Sequence, residues 1–238
     1  MARLPELLVV SAALVLALPA SADFYSHRYL GLSVLEGSLD PFCSQAEDLV
    51  ARNNTDQQTL STSGCEEAGT GWKVYGGWRW TPHLAFELDA RQLPTAEHDF
   101  LVSSTLYPYL SVTHEVTTRM GNAHFVGHLP FGTSGLSLYG KIGGGFWLRE
   151  WKEKQRGEIV LRIPVSEGVT EDVLVPVRGS FHNNSSGFHW GYGAGISYRN
   201  QNRWTLRVEW EAFPDIGSDV FGGQQDIQSA SLGWSMHF

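Results

Sequence analysis

The chain has 238 residues, with 17 Lys and Arg against 25 Asp and Glu, and a formal net charge of −8. That balance argues against nucleic acid as a partner, because phosphate binding calls for clustered cations. Past the first residues no apolar run approaches the ~20 residues of a membrane-spanning helix, so no transmembrane helix is expected.

Arg3 precedes an almost wholly apolar run over residues 7–18, followed by Pro19-Ala20-Ser21-Ala22 with small residues where a signal peptidase reads. Residues 1–22 are expected to be a secretory signal peptide, and residues 23–238 one domain. A short buried helix fits poorly, since nothing amphipathic surrounds the run. Export would bring Cys43 and Cys65 into an oxidising compartment. Both fall in one polar, irregular stretch, where a local disulfide is one reading and a pair of free thiols the other.

Period two then dominates, the mark of strands with two unlike faces. A first strand carries Leu30, Leu32 and Val34. A second places Trp72, Val74, Gly76, Trp78 and Trp80 against Lys73, Tyr75, Gly77 and Arg79. After Thr81-Pro82, a third places Leu84, Phe86, Leu88 and Ala90 against Ala85, Glu87, Asp89 and Arg91. Ala123, Phe125 and Leu129 alternate with His124 and His128 in a fourth. The fifth, after a turn at Gly132-Thr133-Ser134-Gly135, sets Leu136, Leu138, Ile142 and Phe146 against Ser137, Tyr139, Lys141 and Gly143. The sixth is the clearest, with Phe188, Trp190, Tyr192, Ala194, Ile196 and Tyr198 on one face and glycines on the other. A turn at Asn200-Gln201-Asn202 leads to a seventh, where Leu206, Val208 and Trp210 oppose Arg207, Glu209 and Glu211. Ala230, Leu232, Trp234, Met236 and Phe238 make the eighth.

The expected fold is all-β: an eight-stranded antiparallel up-and-down transmembrane β-barrel. Glycine, serine and charge suit the crowded inside of a narrow barrel, while tryptophan and large aliphatic residues suit lipid. Closure also leaves no unpaired edge in the bilayer. Tight joins near residues 81, 132 and 201 alternate with long ones at 38–70, 93–118, 150–186 and 214–226. That matches short periplasmic turns and long extracellular loops. Trp72, Trp80, Trp204 and Trp210 fall near strand ends, where an interfacial girdle is expected.

With these residues in order, the chain resembles the OmpA-like outer-membrane barrels. Val74-Tyr75-Gly76-Gly77 through Phe86-Glu87-Leu88 is similar to that family's second and third strands. Tyr139-Gly140-Lys141-Ile142-Gly143-Gly144 is similar to its fifth, and Trp190 through Tyr198 with Leu206-Arg207-Val208-Glu209-Trp210 to its sixth and seventh. Ser231-Leu232-Gly233-Trp234-Ser235, ending in Phe238, resembles its closing strand. The resemblance implies residence in a Gram-negative outer membrane and a lumen filled by charges, with a Glu on the third strand facing an Arg on the seventh. Glu87 and Arg207 stand at those positions. Lys141 and Lys73 also face the lumen and are expected to join them. Neighbouring-strand pairs are the alternative: Glu87 with Arg79, or Arg207 with Asp89. The resemblance further implies that the barrel-assembly machinery reads Phe238. Because the chain stops there, no peptidoglycan-binding domain and no cell-wall tether are expected.

Catalysis is not expected. His98-Asp99, His114-Glu115 and several serines are present, but no spacing forces a nucleophile onto a base with a third orienting group. There is no Gly-x-Ser-x-Gly elbow. No metal site is expected either, since His124 and His128 on one strand lie about 13 Å apart at ~3.3 Å per residue. The Gly191-x-Gly193-x-Gly195 run reads as a glycine-lined strand, not a dinucleotide fingerprint. The expected role is structural or surface-interacting, without a cofactor. Its expected partners are outer-membrane lipids, the assembly machinery and an extracellular ligand of the loops. A small ion-conducting, porin-like pore is the alternative, followed by a lipid-modifying barrel enzyme.

Overall fold

The computed structural model describes residues 27–104, 107–166, 169–200, 203–218 and 223–238. The expected leader, residues 1–22, and two residues of the turn near 201 lie outside them. In chain order the elements are β1 (His27–Asp40), α1 (Phe42–Arg52), β2 (Gln58–Glu66), β3 (Ala68–Arg79), β4 (Leu84–Gln92) and β5 (Ala96–Ser104). Then follow β6 (Tyr109–Pro130), β7 (Leu136–Ser166), β8 (Val169–Asn200), β9 (Trp204–Ser218) and β10 (Gly223–His237).

Eight of these strands form a ring in the order β1-β3-β4-β6-β7-β8-β9-β10, and every pairing is antiparallel. Closure comes from β10 pairing back onto β1, from Tyr29 opposite His237 to Asp40 opposite Asp226. The alternation in sequence is what sorts the two faces. On β1, Leu30, Leu32 and Val34 point outward while Tyr29, Ser33 and Leu35 are buried inside. The outward faces of all eight strands repeat this with exposed Trp, Leu, Ile, Phe and Tyr. Trp72, Trp80 and Trp210 are exposed toward the ends of that band and Trp204 is half-buried at its lower edge.

The band stops abruptly. Moving away from the tight turns, its outward residues give way to Glu36, Thr70, Gln92, Arg119, Glu150, Ser186 and Gln228 on seven of the eight strands. That polar line fits the outer lipid boundary of a spanning barrel. Among the described residues no helix is long and apolar enough to cross a membrane.

Three of the four long connections differ from the irregular loops expected of them. Instead of coil, residues 38–70 hold α1 and β2, so Cys43 sits on a helix and Cys65 on a strand, joined as a disulfide with Cα atoms 5.8 Å apart. Residues 93–118 supply β5 and the outer half of β6, paired from Ala96 opposite Val116 to Val102 opposite Leu110. β2 adds to β5, and α1 covers them through a second small core of Val50, Leu60, Phe100, Val102, Leu110 and Val112. Residues 150–186 extend β7 and β8 as one ribbon that pairs out to Ser166 and Val169. Seventeen residues of β7 beyond the lipid boundary, at ~3.3 Å each, carry it about 55 Å outward. The apolar alternation simply continues past the membrane: Ala96, His98, Phe100 and Val102 are buried in turn on β5.

Candidate functional site: a filled lumen

β4 and β9 stand opposite each other, four places apart in the eight-strand ring. Their inward residues form two facing ladders. β4 presents Glu87, Asp89 and Arg91, and β9 presents Arg207, Glu209 and Glu211, all buried. Read upward from the tight-turn end, an acid meets a base at the bottom and a base meets an acid at the top. Lys73 of β3 and Lys141 of β7 fill the middle.

At the bottom, Arg207 forks onto Glu87, Nη1 donating to Oε2 at 2.6 Å and Nη2 to Oε1 at 3.0 Å. The Tyr29 hydroxyl donates to the same Oε2 at 3.0 Å, and the Arg207 guanidinium lies 3.4 Å over the Tyr75 ring. Lys73 contacts both Glu209 and Glu211, the latter at 2.8 Å. Lys141 reaches Glu211 at 2.5 Å and Glu209 at 3.1 Å, and Glu87 more loosely at 3.8 Å. At the top Arg91 donates to both oxygens of Glu211 (2.9 and 2.7 Å) and of Asp89 (2.8 and 2.9 Å). The four acids and four bases balance, which a desolvated interior requires of charges it holds. Such forked, charge-assisted bonds also fix geometry more firmly than single contacts.

All four lumen residues expected from the sequence are therefore here, with Glu87 on Arg207. Arg79 instead donates to the carbonyls of Thr81 and Pro82, and Asp89 goes to its own-strand neighbour Arg91. Asp89, Arg91, Glu209 and Glu211 join the network beyond the four residues expected from the sequence. Their signal was the same alternation that selected Glu87 and Arg207. Tyrosine hydroxyls were the less visible part: Tyr139 donates to Glu209 at 2.8 Å. Glycines make room for these rings across neighbouring strands. A Cβ on Gly77 would run into the Tyr29 ring, and one on Gly195 into that of Tyr139.

Asp89, His124 and Glu211 bring ligand atoms within 4.8 Å of one another, a donor set a divalent ion could use. Arg91 already engages both carboxylates, and His124 Nδ1 lies 3.3 Å from Asp89. A metal there would have to displace the guanidinium, so the donors fit the ion network better than an ion. His128 lines the opposite, tight-turn end with Ser137 at 3.5 Å.

Above the charges the lumen turns largely apolar, with Arg149 buried beside Thr118 and donating to its hydroxyl and to the Ile216 carbonyl. Leu35, Leu39, Leu93, Val116, Met120, Trp147, Phe213, Ile216 and Ile227 pack together at no more than 3 % exposure, and Phe42 of α1 caps them. The Cys43–Cys65 bond holds that helix start against β2. Below the charges a cavity of about 260 Å³ opens at the tight-turn mouth.

The remaining candidates lie on the outer sheet. His98 Nε2 is 3.3 Å from the Thr62 hydroxyl, and His114 Nε2 is 3.0 Å from Glu153. Burial pulls both imidazoles below their ordinary 6.5, on His98 with help from neighbouring His114 and on His114 against the attraction of Glu153. Phe238 follows β10, exposed beside β1, its N–H donating to the Arg28 carbonyl at 3.0 Å.

The sequence pattern of the outer membrane protein β-barrel domain family matches residues 7–238. Ail, the attachment invasion locus protein of Yersinia pestis, is similar in structure at 12% identity and a TM-score of 0.45, over 90% of this chain and 100% of that one. OprG of Pseudomonas aeruginosa is similar at 10% identity and 0.44, over 90% and 96%. The N-terminal barrel of Pseudomonas aeruginosa OprF is similar at 10% identity and 0.39, over 88% and 97%. No curated protein sequence matches the chain.

Proposed function

The chain belongs to the outer membrane protein β-barrel family, and from that premise we propose that its membrane part is a closed anchor whose task is to hold the outer sheet at the cell surface for interaction. The observation that carries this reading is the apolar plug. Leu35, Met120, Trp147, Phe213 and Ile227 fill the lumen at the outer lipid boundary, directly over a balanced ion network. Hydrophobic constrictions stop ions by excluding water, so charge below and a tightly packed, largely apolar plug above form two barriers in series. An eight-strand interior is only wide enough for side chains to fill.

What extends outward supports the second half of the proposal. α1, β2, β5 and the outer half of β6 have a core of their own, and the β7–β8 ribbon projects from their side. A folded platform on a rigid scaffold is where binding surfaces are commonly built. His98 and His114 take no catalytic step in this proposal, each being held by one polar partner rather than a relay. Lipids around the exposed band and the assembly machinery at Phe238 complete the proposed partners.

Planar-bilayer recordings of the purified full chain test it. The native protein should give at most small, brief openings, and Arg207→Ala should stay nearly as quiet because the plug lies above that residue. A large, steady conductance in the native protein would overturn the closed-anchor reading.

A further inference from the structure

The cavity of about 260 Å³ at the tight-turn mouth is lined by His27, Arg79, His128, Arg199, Arg207 and His237. Glu87 is the one carboxylate among its lining residues, and Arg207 forks onto it. Among the described lining residues three guanidiniums and three imidazoles thus share the cavity with one carboxylate. The three tight turns that frame this end, residues 80–84, 131–135 and 200–204, contain no Asp or Glu.

We propose that this mouth cavity binds a phosphate-type oxyanion. Guanidinium forks match the oxygen pairs of such a group, and imidazole N–H groups add donors. The contacts of Arg79 leave that capacity in place. Arg79 spends Nε and Nη2 on the carbonyls of Thr81 and Pro82, neutral acceptors that fix its side chain without cancelling its charge. Arg199 Nη1 lies 2.8 Å from His27 Nε2, and both residues line the cavity. His237 is held by the Thr205 hydroxyl at 2.7 Å through Nε2, while its other ring nitrogen is buried without a hydrogen-bond partner. Arg207 Nε is likewise buried and unpartnered, on a side chain more than nine-tenths buried. A buried donor with nothing to bond is rare in folded proteins, and an anion in the cavity would satisfy Arg207 Nε.

The phosphate group has two possible sources, a free phosphate in the periplasm or a phospholipid headgroup of the inner leaflet. Two arms separate them. In the first, inorganic phosphate is titrated calorimetrically into the full chain in an uncharged detergent. In the second, the chain is placed in nanodiscs of zwitterionic lipid with and without phosphatidylglycerol, and chemical shifts of its imidazoles are followed. Arg79→Gln and Arg199→Gln should each weaken the interaction roughly tenfold or more, as expected for loss of a charge-assisted contact. Arg199→Lys should fall between, because it keeps the charge and loses the fork. The retained gel-mobility difference between boiled and unboiled samples identifies the variants that still fold, and His237→Gln supplies a milder one. Saturable phosphate binding that these substitutions weaken supports the site with a free ligand. A response only to phosphatidylglycerol, lost in the same variants, supports it as a headgroup site. Binding in neither arm, or binding indifferent to Arg79 and Arg199, overturns it.

Discussion

Arg207→Ala removes one side of the lowest ion pair and leaves Glu87 buried. Glu87 then retains the Tyr29 hydroxyl at 3.0 Å and the Lys141 ammonium at 3.8 Å. Truncating one partner of a buried pair costs roughly 3–5 kcal/mol. Because two partial replacements remain, the lower end applies, about 3 kcal/mol. At 1.4 kcal/mol per factor of ten, that is on the order of a hundredfold in the unfolding equilibrium. Part of it reflects lost stacking on Tyr75 rather than the charge pair. A double-mutant cycle with Glu87→Gln separates the two, since residues in one ion network couple by about 0.5–3 kcal/mol. Urea titration in lipid vesicles, read by the mobility of unboiled samples on SDS gels, measures all four proteins. A value for Arg207→Ala within about 0.5 kcal/mol of the parent, or additivity of the two substitutions, would refute the coupled pair.

Reducing or replacing the Cys43–Cys65 bond should cost roughly 3 kcal/mol by the loop-entropy account, for residues 22 apart, and the loss should stay local. Limited proteolysis should then cut around α1 while the barrel's gel mobility is unchanged; cleavage no faster than in the parent would contradict this. Gly77→Val should drive the Tyr29 ring off Glu87 and lower stability by roughly 1–3 kcal/mol, measured by the same urea titration. Acidification should loosen the outer sheet before the barrel. His98 and His114 have folded values below 6.5, so their contribution is complete above that pH and is lost as pH falls toward the folded values. Glu97, raised by burial and by Asp99, Glu115 and Glu66, acts in the opposite sense at lower pH. Hydrogen exchange of residues 96–102, corrected for intrinsic rates, should therefore speed up between pH 7.5 and 5.5 while β9 amides hold steady. Equal protection at both pH values would count against the burial of these imidazoles.

How much of this was legible in the sequence follows from what alternation can encode. Within the membrane both faces are constrained, lipid on one and a crowded lumen on the other, so Trp72 through Trp80 or Leu206 through Trp210 could be read directly. Phe100, Val102, Leu110 and Val112 follow the same period, yet they lie in stretches expected to be loops. The rule of long extracellular loops concerns topology and says nothing about whether such a segment folds. The plug was hidden for a different reason. Leu35, Leu93, Met120 and Phe213 occupy inward positions at which the polar rule reverses, and only the meeting of six strands with α1 makes that reversal intelligible. Likewise, alternation showed that Asp89 and Arg91 face inward. It could not show that they satisfy each other before reaching across the lumen, because that depends on side-chain reach and on Glu211 arriving from the far wall.

The seam between β1 and β10 carries a consequence for biogenesis. Most ring contacts join strands near in sequence, but this one joins Tyr29 to His237 and Asp40 to Asp226. Non-local pairing of this kind is the slow, entropically costly step of folding. Until β10 arrives, β1 and β9 each present a bare row of amide and carbonyl groups, which hydrocarbon cannot solvate. A chain lacking β10 would therefore not form a smaller seven-stranded barrel; it would be an open sheet with two adhesive margins. Translation must therefore reach the last strand before the wall can seal.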